Sequence, residues 1–128
     1  MKLYPLSIGI LSWNSAKTLQ NTLKSYRKHG LLDISDDITI LFQEISDKDQ
    51  KLVEKYGIKH IGLKQNIGIG KGISKLIENA EYDTILFLEH DWELIENKKV
   101  LLERIESGLS LLQNGFDIIR YRSRKNSG

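Results

Sequence analysis

The chain has 128 residues, 40% of them hydrophobic and 28% charged, with 19 basic against 17 acidic side chains and a formal net charge of +2. That length fits one domain with a core of its own, and the composition excludes wholesale disorder. The near-balance of charge argues against nucleic-acid binding, and the lack of cysteine excludes a disulfide framework, a thiol nucleophile and thiolate-held zinc or iron–sulfur sites.

The first residues lead into Leu6–Leu11, an apolar run of strand length. It is too short to span a membrane and no small-residue cleavage site follows it, so the expected location is cytoplasmic. Ala16, Leu19, Leu23 and Tyr26 then recur at helical spacing, with Gly30 placed to end that helix. Ile38–Phe42 reads as a second strand. Ser46 is a good N-cap for a helix carrying Leu52, Val53 and Tyr56 and closed by Gly57. Lys59–Leu63 reads as a third strand, and Ile73, Leu76, Ile77 and Ala80 mark a third helix. Thr84–Leu88 is the fourth strand. Asn97 caps a fourth helix on Val100, Leu101, Ile105, Leu109 and Leu112, with Gly115 as its stop, and Phe116–Tyr121 is a fifth apolar run read as a strand. One domain over residues 1–122 is expected, with 123–128 as a loose basic tail.

Strands alternating with helices predict an α/β fold, a mainly parallel open sheet with helices on both faces. In such sheets ligands bind beyond the carboxyl ends of the strands, so the residues just after each strand carry the functional reading. After strand four comes Glu89-His90-Asp91. Residues two apart in extended backbone point the same way, so the two acids can converge on a hard divalent cation, or they solvate a loop and start the next helix. His90 reads as a bystander, and Glu93 and Glu96 as solvent-facing or helix-starting acids. Before helix three lies Asn66-Ile67-Gly68-Ile69-Gly70-Lys71-Gly72, which fits neither the dinucleotide fingerprint nor the Walker pattern. It is a backbone cradle for an anion or a flexible turn. Ser12-Trp13-Asn14 follows strand one: an aromatic face for a planar base with two hydrogen-bonding neighbours, or the start of a helix with Trp13 at the core's edge. Glu44 ends strand two and either accepts from a base or ribose or faces water.

In order and spacing, these four places resemble the N-terminal, nucleotide-binding half of family-2-like glycosyltransferases with the Rossmann-like GT-A fold. The resemblance runs from about Leu6 to Glu93. Ile8–Leu19 matches the family's first strand, polar-aromatic-Asn turn and helix. Glu44 stands where an acid holds the base, Asn66-Ile67-Gly68 matches the N-x-G turn, and Glu89-His90-Asp91 is the counterpart of the D-x-D metal motif. Ser12 replaces a usual proline, and Ile73 stands where the family carries arginine, with Lys71 or Lys75 as the substitute cation.

The resemblance implies a nucleotide-sugar donor, most often a UDP-sugar, and a Mn²⁺ or Mg²⁺ ion on its diphosphate. Ser12, Trp13, Asn14, Glu44, Asn66, Gly68 and Lys71 would line the donor pocket, and Glu89 and Asp91 would hold the metal. The implied reaction is sugar transfer to an acceptor hydroxyl on a glycan, protein or lipid. About 35 residues follow Asp91, much less than the family's acceptor-binding half, and no catalytic base is assigned. The chain is therefore expected to be incomplete alone, a fragment or a protein that completes its site with a partner or by self-association. The competing reading is a non-catalytic nucleotide-binding or interaction module of the same fold.

Overall fold

A computed structural model describes residues Leu3–Tyr121. Four of the predicted strands form one all-parallel sheet in the order β3-β2-β1-β4: β1 is Ser7–Trp13, β2 Ile38–Gln43, β3 Lys59–Gly62 and β4 Ile85–Glu89. The helices between them are α1 (Ala16–Lys28), α2 (Asp47–Tyr56) and α3 (Ile69–Asn79). α4 (Lys98–Gln113) follows β4.

Side-chain alternation and crossover handedness together place the layers. Gly9 and Leu11 of β1 face α3, where a Cβ on Gly9 would lie 3.4 Å from the Leu76 Cβ. Leu11, Leu41 and Leu76 form one buried cluster there, with Ile61, Leu63, Ile85 and Phe87 packed against it. The intervening residues Ile8, Ile10, Ile40 and Phe42 point to the other face, all of them buried. Right-handed connections carry β1 to β2 and β2 to β3 in one direction, with α1 and α2 on one side. The return from β3 to β4 runs the other way and puts α3 opposite. The helices therefore cover both faces, as the alternating sequence predicts.

β1 leads to β2 on one side, whereas the crossover from β3 arrives at β4 on the other side of β1, so the switch in strand order lies between β1 and β4. Their carboxyl ends are where an open α/β sheet offers a ligand crevice.

Local chemistry sets the helix starts. Ser46 and Asp49 form a reciprocal capping box on α2, the Ser46 side chain accepting from the Asp49 N–H at 3.2 Å and the Asp49 carboxylate from the Ser46 N–H at 3.0 Å. Asn97 caps α4 by accepting from the Val100 N–H at 2.9 Å. α3 begins at Ile69, four residues before the first apolar position that marks it in the sequence.

The described chain divides into two compact units between Ile95 and Glu96, where the sequence predicts one domain over 1–122; the tail predicted at 123–128 lies outside the described residues. The second unit holds α4, the Glu96–Arg104 ion pair at 3.9 Å, and the Tyr121 hydroxyl donating to the Arg104 carbonyl at 2.8 Å. The fifth strand predicted at Phe116–Tyr121 does not form: residues 116–121 run without strand pairing, and Phe116 and Ile118 are exposed. A short apolar run has no period of its own to make it a strand; only a sheet edge does, and here no strand among the described residues pairs with it. No helix among the described residues is long and apolar enough to cross a membrane.

Candidate functional site

β1 and β2 run in register to their last residues, Trp13 opposite Gln43. Directly beyond that pair the backbone turns sharply. Asn14 (φ 47°) and Glu44 (φ 51°) are the only non-glycine residues with left-handed backbone among those described. Asparagine tolerates this conformation; for glutamate it costs about 1–2 kcal/mol. The turns bring two side chains across the strand ends, the Trp13 indole N–H donating to a Glu44 carboxylate oxygen at 3.4 Å. Both are exposed, Trp13 by 47%, so the indole and the carboxylate are available to a ligand. Ile45 secures the second turn by donating its N–H to the Leu63 carbonyl at 2.9 Å.

Ser12 does not join this pair. As the residue before Trp13 it points to the opposite face, fully buried, and its Oγ has no hydrogen-bond partner among the described residues. Asn14 is exposed at the turn.

Gln43, to which the sequence pattern assigns no role, builds the third part of the site. Buried on the α3 face, its amide donates to the Gly68 carbonyl at 2.9 Å and accepts from the Ile67 N–H at 2.9 Å. The Asn66 side chain accepts from the Gly68 N–H at 2.8 Å, closing an Asx turn. The turn ends on Gly68 at φ 88°, a backbone that favours glycine. Gly72 has a packing role: a Cβ there would sit 2.9 Å from Leu11 Cδ1 and 3.2 Å from Gln43 Nε2. Lys71 is exposed on the first turn of α3 and forms no ion pair with the described residues.

At the end of β4, Glu89 pairs in register with Leu11 and is half-buried, while Asp91 is exposed. The His90 N–H donates to the Leu11 carbonyl at 3.0 Å and the Trp92 N–H to the Glu89 carbonyl at 3.1 Å. Trp92 packs edge-on against Phe87 with centroids 6.1 Å apart. The segment is also tied to α1: Thr22 Oγ1 donates to the His90 carbonyl at 2.6 Å, Tyr26 Oη to the Trp92 carbonyl at 2.5 Å, and the Leu94 N–H to Ser25 Oγ at 2.9 Å. Burial first, then the charges of Asp91 and Glu93, push the Tyr26 hydroxyl well above its ordinary pKa, so it remains a donor. The sequence reads Tyr26 as a core position of a helix, which it is; nothing in the spacing signals where its hydroxyl goes.

The donor chemistry suits one kind of cation. No three His, Asp or Glu side chains gather into a metal cluster among the described residues. Glu89 and Asp91 supply at most two carboxylates, which matches a Mg²⁺- or Mn²⁺-type ion that keeps waters and completes its shell with phosphate oxygens. Glu96 is engaged with Arg104.

An all-parallel 3-2-1-4 sheet with polar turns gathered beyond the strand ends at the switch is the GT-A arrangement of glycosyltransferases. The chain matches glycosyl transferase family 2 over residues 7–126 and belongs to that family. Among curated proteins no relative matches. Among solved structures it is similar to S. aureus TarS 1-349, at 21% identity and a TM-score of 0.67 over 91% of this chain and 39% of that one. It is similar to TarS 1-349 in complex with UDP-GlcNAc at the same identity and TM-score, over 91% and 37%. A further TarS structure aligns at 19% identity and a TM-score of 0.66, this chain spanning 23% of its length. At that identity the likeness is one of fold, and this chain spans well under half of each TarS chain.

Proposed function

We propose that this chain is the donor-binding part of a glycosyltransferase that takes a nucleotide-sugar, a UDP-sugar in the favoured case, for transfer to an acceptor hydroxyl. The observation that carries this is the Trp13–Glu44 pair at two left-handed strand-end turns, with the acids Glu89 and Asp91 at the end of the neighbouring strand of the switch. The fold's likeness to a TarS structure holding UDP-GlcNAc supports the choice of donor class.

In this reading the indole stacks on the uracil ring and the Glu44 carboxylate accepts from the base or the ribose. The Gln43-held turn at Asn66–Gly68 shapes the pocket beside them, and Lys71 offers a cation to the phosphates. Glu89 and Asp91 would hold Mn²⁺ or Mg²⁺, which when bound offsets the charge developing on the departing diphosphate. Transfer joins the acceptor oxygen to the anomeric carbon as the bond from that carbon to the diphosphate oxygen breaks. The electron pair leaves with the nucleoside diphosphate, and the acceptor proton goes to a base. The chain's span of TarS favours a second reading, in which these residues bind the donor and transfer requires further protein.

Calorimetric titration with UDP, with and without Mn²⁺ and in parallel with GDP, tests the proposal. Micromolar UDP binding in Mn²⁺ that exceeds GDP binding is expected, with weaker but measurable UDP binding remaining when the metal is removed. Failure of a folded sample to bind either nucleotide would reject donor binding by this chain. Transfer of sugar by the chain alone would reject the binding-only reading.

A further inference from the structure

Three hydroxyls sit on one face of α1. Thr22, Ser25 and Tyr26 are spaced i, i+3, i+4, and all three reach the backbone that follows β4. They take alternate residues: the carbonyl of His90, the carbonyl of Trp92 and the N–H of Leu94. The residues between them are the acids Asp91 and Glu93, and both are exposed. His90 and Asp91 form the corner of the turn closed by the Trp92 N–H on the Glu89 carbonyl, so anchoring the His90 and Trp92 carbonyls to α1 fixes the turn that presents Asp91 to solvent. Ser25 Oγ also donates to the Thr22 carbonyl at 2.6 Å, which orients its lone pair for Leu94. Thr22 and Tyr26 are buried, so these bonds lie where water competes poorly. The same helix starts at Ala16, two residues after Asn14, so α1 is rooted in the turn that carries Trp13.

We infer that Thr22, Ser25 and Tyr26 are positioning residues that hold Asp91 in the geometry its ligand requires, and that α1 ties this acid to the Trp13 side of the site. The inference rests on the donor-binding reading above. None of the three hydroxyls touches the ligand; each acts through the backbone of residues 90–94.

Tyr26→Phe and Thr22→Val remove one hydroxyl each while keeping shape. Amide hydrogen exchange by NMR reads the holding directly. Exchange at His90, Trp92 and Leu94 should quicken about tenfold in each variant, with the β1 and β2 amides unchanged. Calorimetry reads the consequence. UDP affinity in Mn²⁺ should fall about 10- to 100-fold, the usual effect of removing a group that orients a metal ligand, while UDP affinity in chelator stays at the parent value. Unchanged exchange at residues 90–94 in both variants would overturn the inference. So would an affinity loss equal with and without Mn²⁺, because that is what general loosening of the fold produces. A parent chain that binds no UDP rejects the donor reading instead, and exchange alone then decides whether α1 holds this segment.

Discussion

Trp13 and Asp91 make separable contributions, and the separation can be measured. An indole stacked on a base is worth about 1–3 kcal/mol, so Trp13→Ala should weaken UDP binding roughly 10- to 100-fold whether Mn²⁺ is present or not. Asp91 is an exposed carboxylate at the end of β4, so Asp91→Ala should remove the Mn²⁺-dependent share of UDP affinity and leave circular dichroism unchanged. Titration of the two variants distinguishes them; an Asp91→Ala chain that keeps full Mn²⁺-dependent affinity would leave the acids a purely structural role. That Trp13, Glu44, Glu89 and Asp91 lie at the strand ends is legible in the sequence, because an apolar run gives way there to aromatic and polar residues. The roles of Ser12 and Gln43 are not legible, because parity decides them. Ser12 looks like part of the polar turn, yet it is still inside β1 and faces the core. Gln43 looks like the strand's polar end, yet it faces α3 and holds the Asn66–Gly68 turn. Which face a strand residue takes is fixed only once the strand's end is known.

At the level of elements, α3 shows how one glycine-rich stretch divides its work. Gly70 has no heavy atom within 4 Å of an added Cβ, whereas Gly72 lies against Leu11 and Gln43. Both are helical, and alanine there gains about 0.5–1 kcal/mol from the restricted unfolded chain. Gly70→Ala keeps that gain, so its melting temperature should rise by a few degrees. Gly72→Ala must also displace packed side chains, at about 1–3 kcal/mol, so its melting temperature should fall and the displaced Gln43 should weaken UDP binding. A stabilised Gly72→Ala variant with unaltered binding would show that α3 has room to shift. From the sequence the stretch reads as an anion cradle or a flexible turn; the structure adds close packing, a role that depends on which strand lies beneath the helix. The capping residues Ser46 and Asn97 were legible because capping is local. The run at Phe116–Tyr121 was not, because strand formation depends on a partner elsewhere in the chain.

Across the whole molecule, the strand ends opposite the site are joined by one buried carboxylate. Asp37, just before β2, accepts from Ser7 Oγ of β1 and Lys59 Nζ of β3 at 2.5 Å each, and from the Glu81 N–H before β4 at 2.8 Å. Ser7 Oγ in turn accepts from the Tyr82 N–H at 3.1 Å. Every strand of the sheet, or the residues leading into it, thus meets at Asp37, which is 1% exposed. Burial pushes its carboxyl up, but the hydrogen bonds from Glu81, Lys59 and Ser7, with the Lys59 charge, outweigh this and hold it below its ordinary 3.8. The Lys59 side chain is half exposed, so its charge counts for less than the buried hydrogen bonds. The sign follows from proton binding. Between the lowered folded value and the ordinary one, the unfolded chain binds more protons, so stability rises with pH. Asp37 therefore stabilises the fold fully above about pH 4, and that contribution is lost as pH falls through its folded value. Asp37→Asn replaces an acceptor with a donor facing donors and should cost about 2 kcal/mol at pH 7. Urea unfolding at pH 7, 4 and 3 checks this: the parent should lose more stability than the variant on acidification, so the two curves converge. Parallel loss in both would mean that another carboxylate governs acid unfolding and that Asp37 joins the strands without setting their pH response.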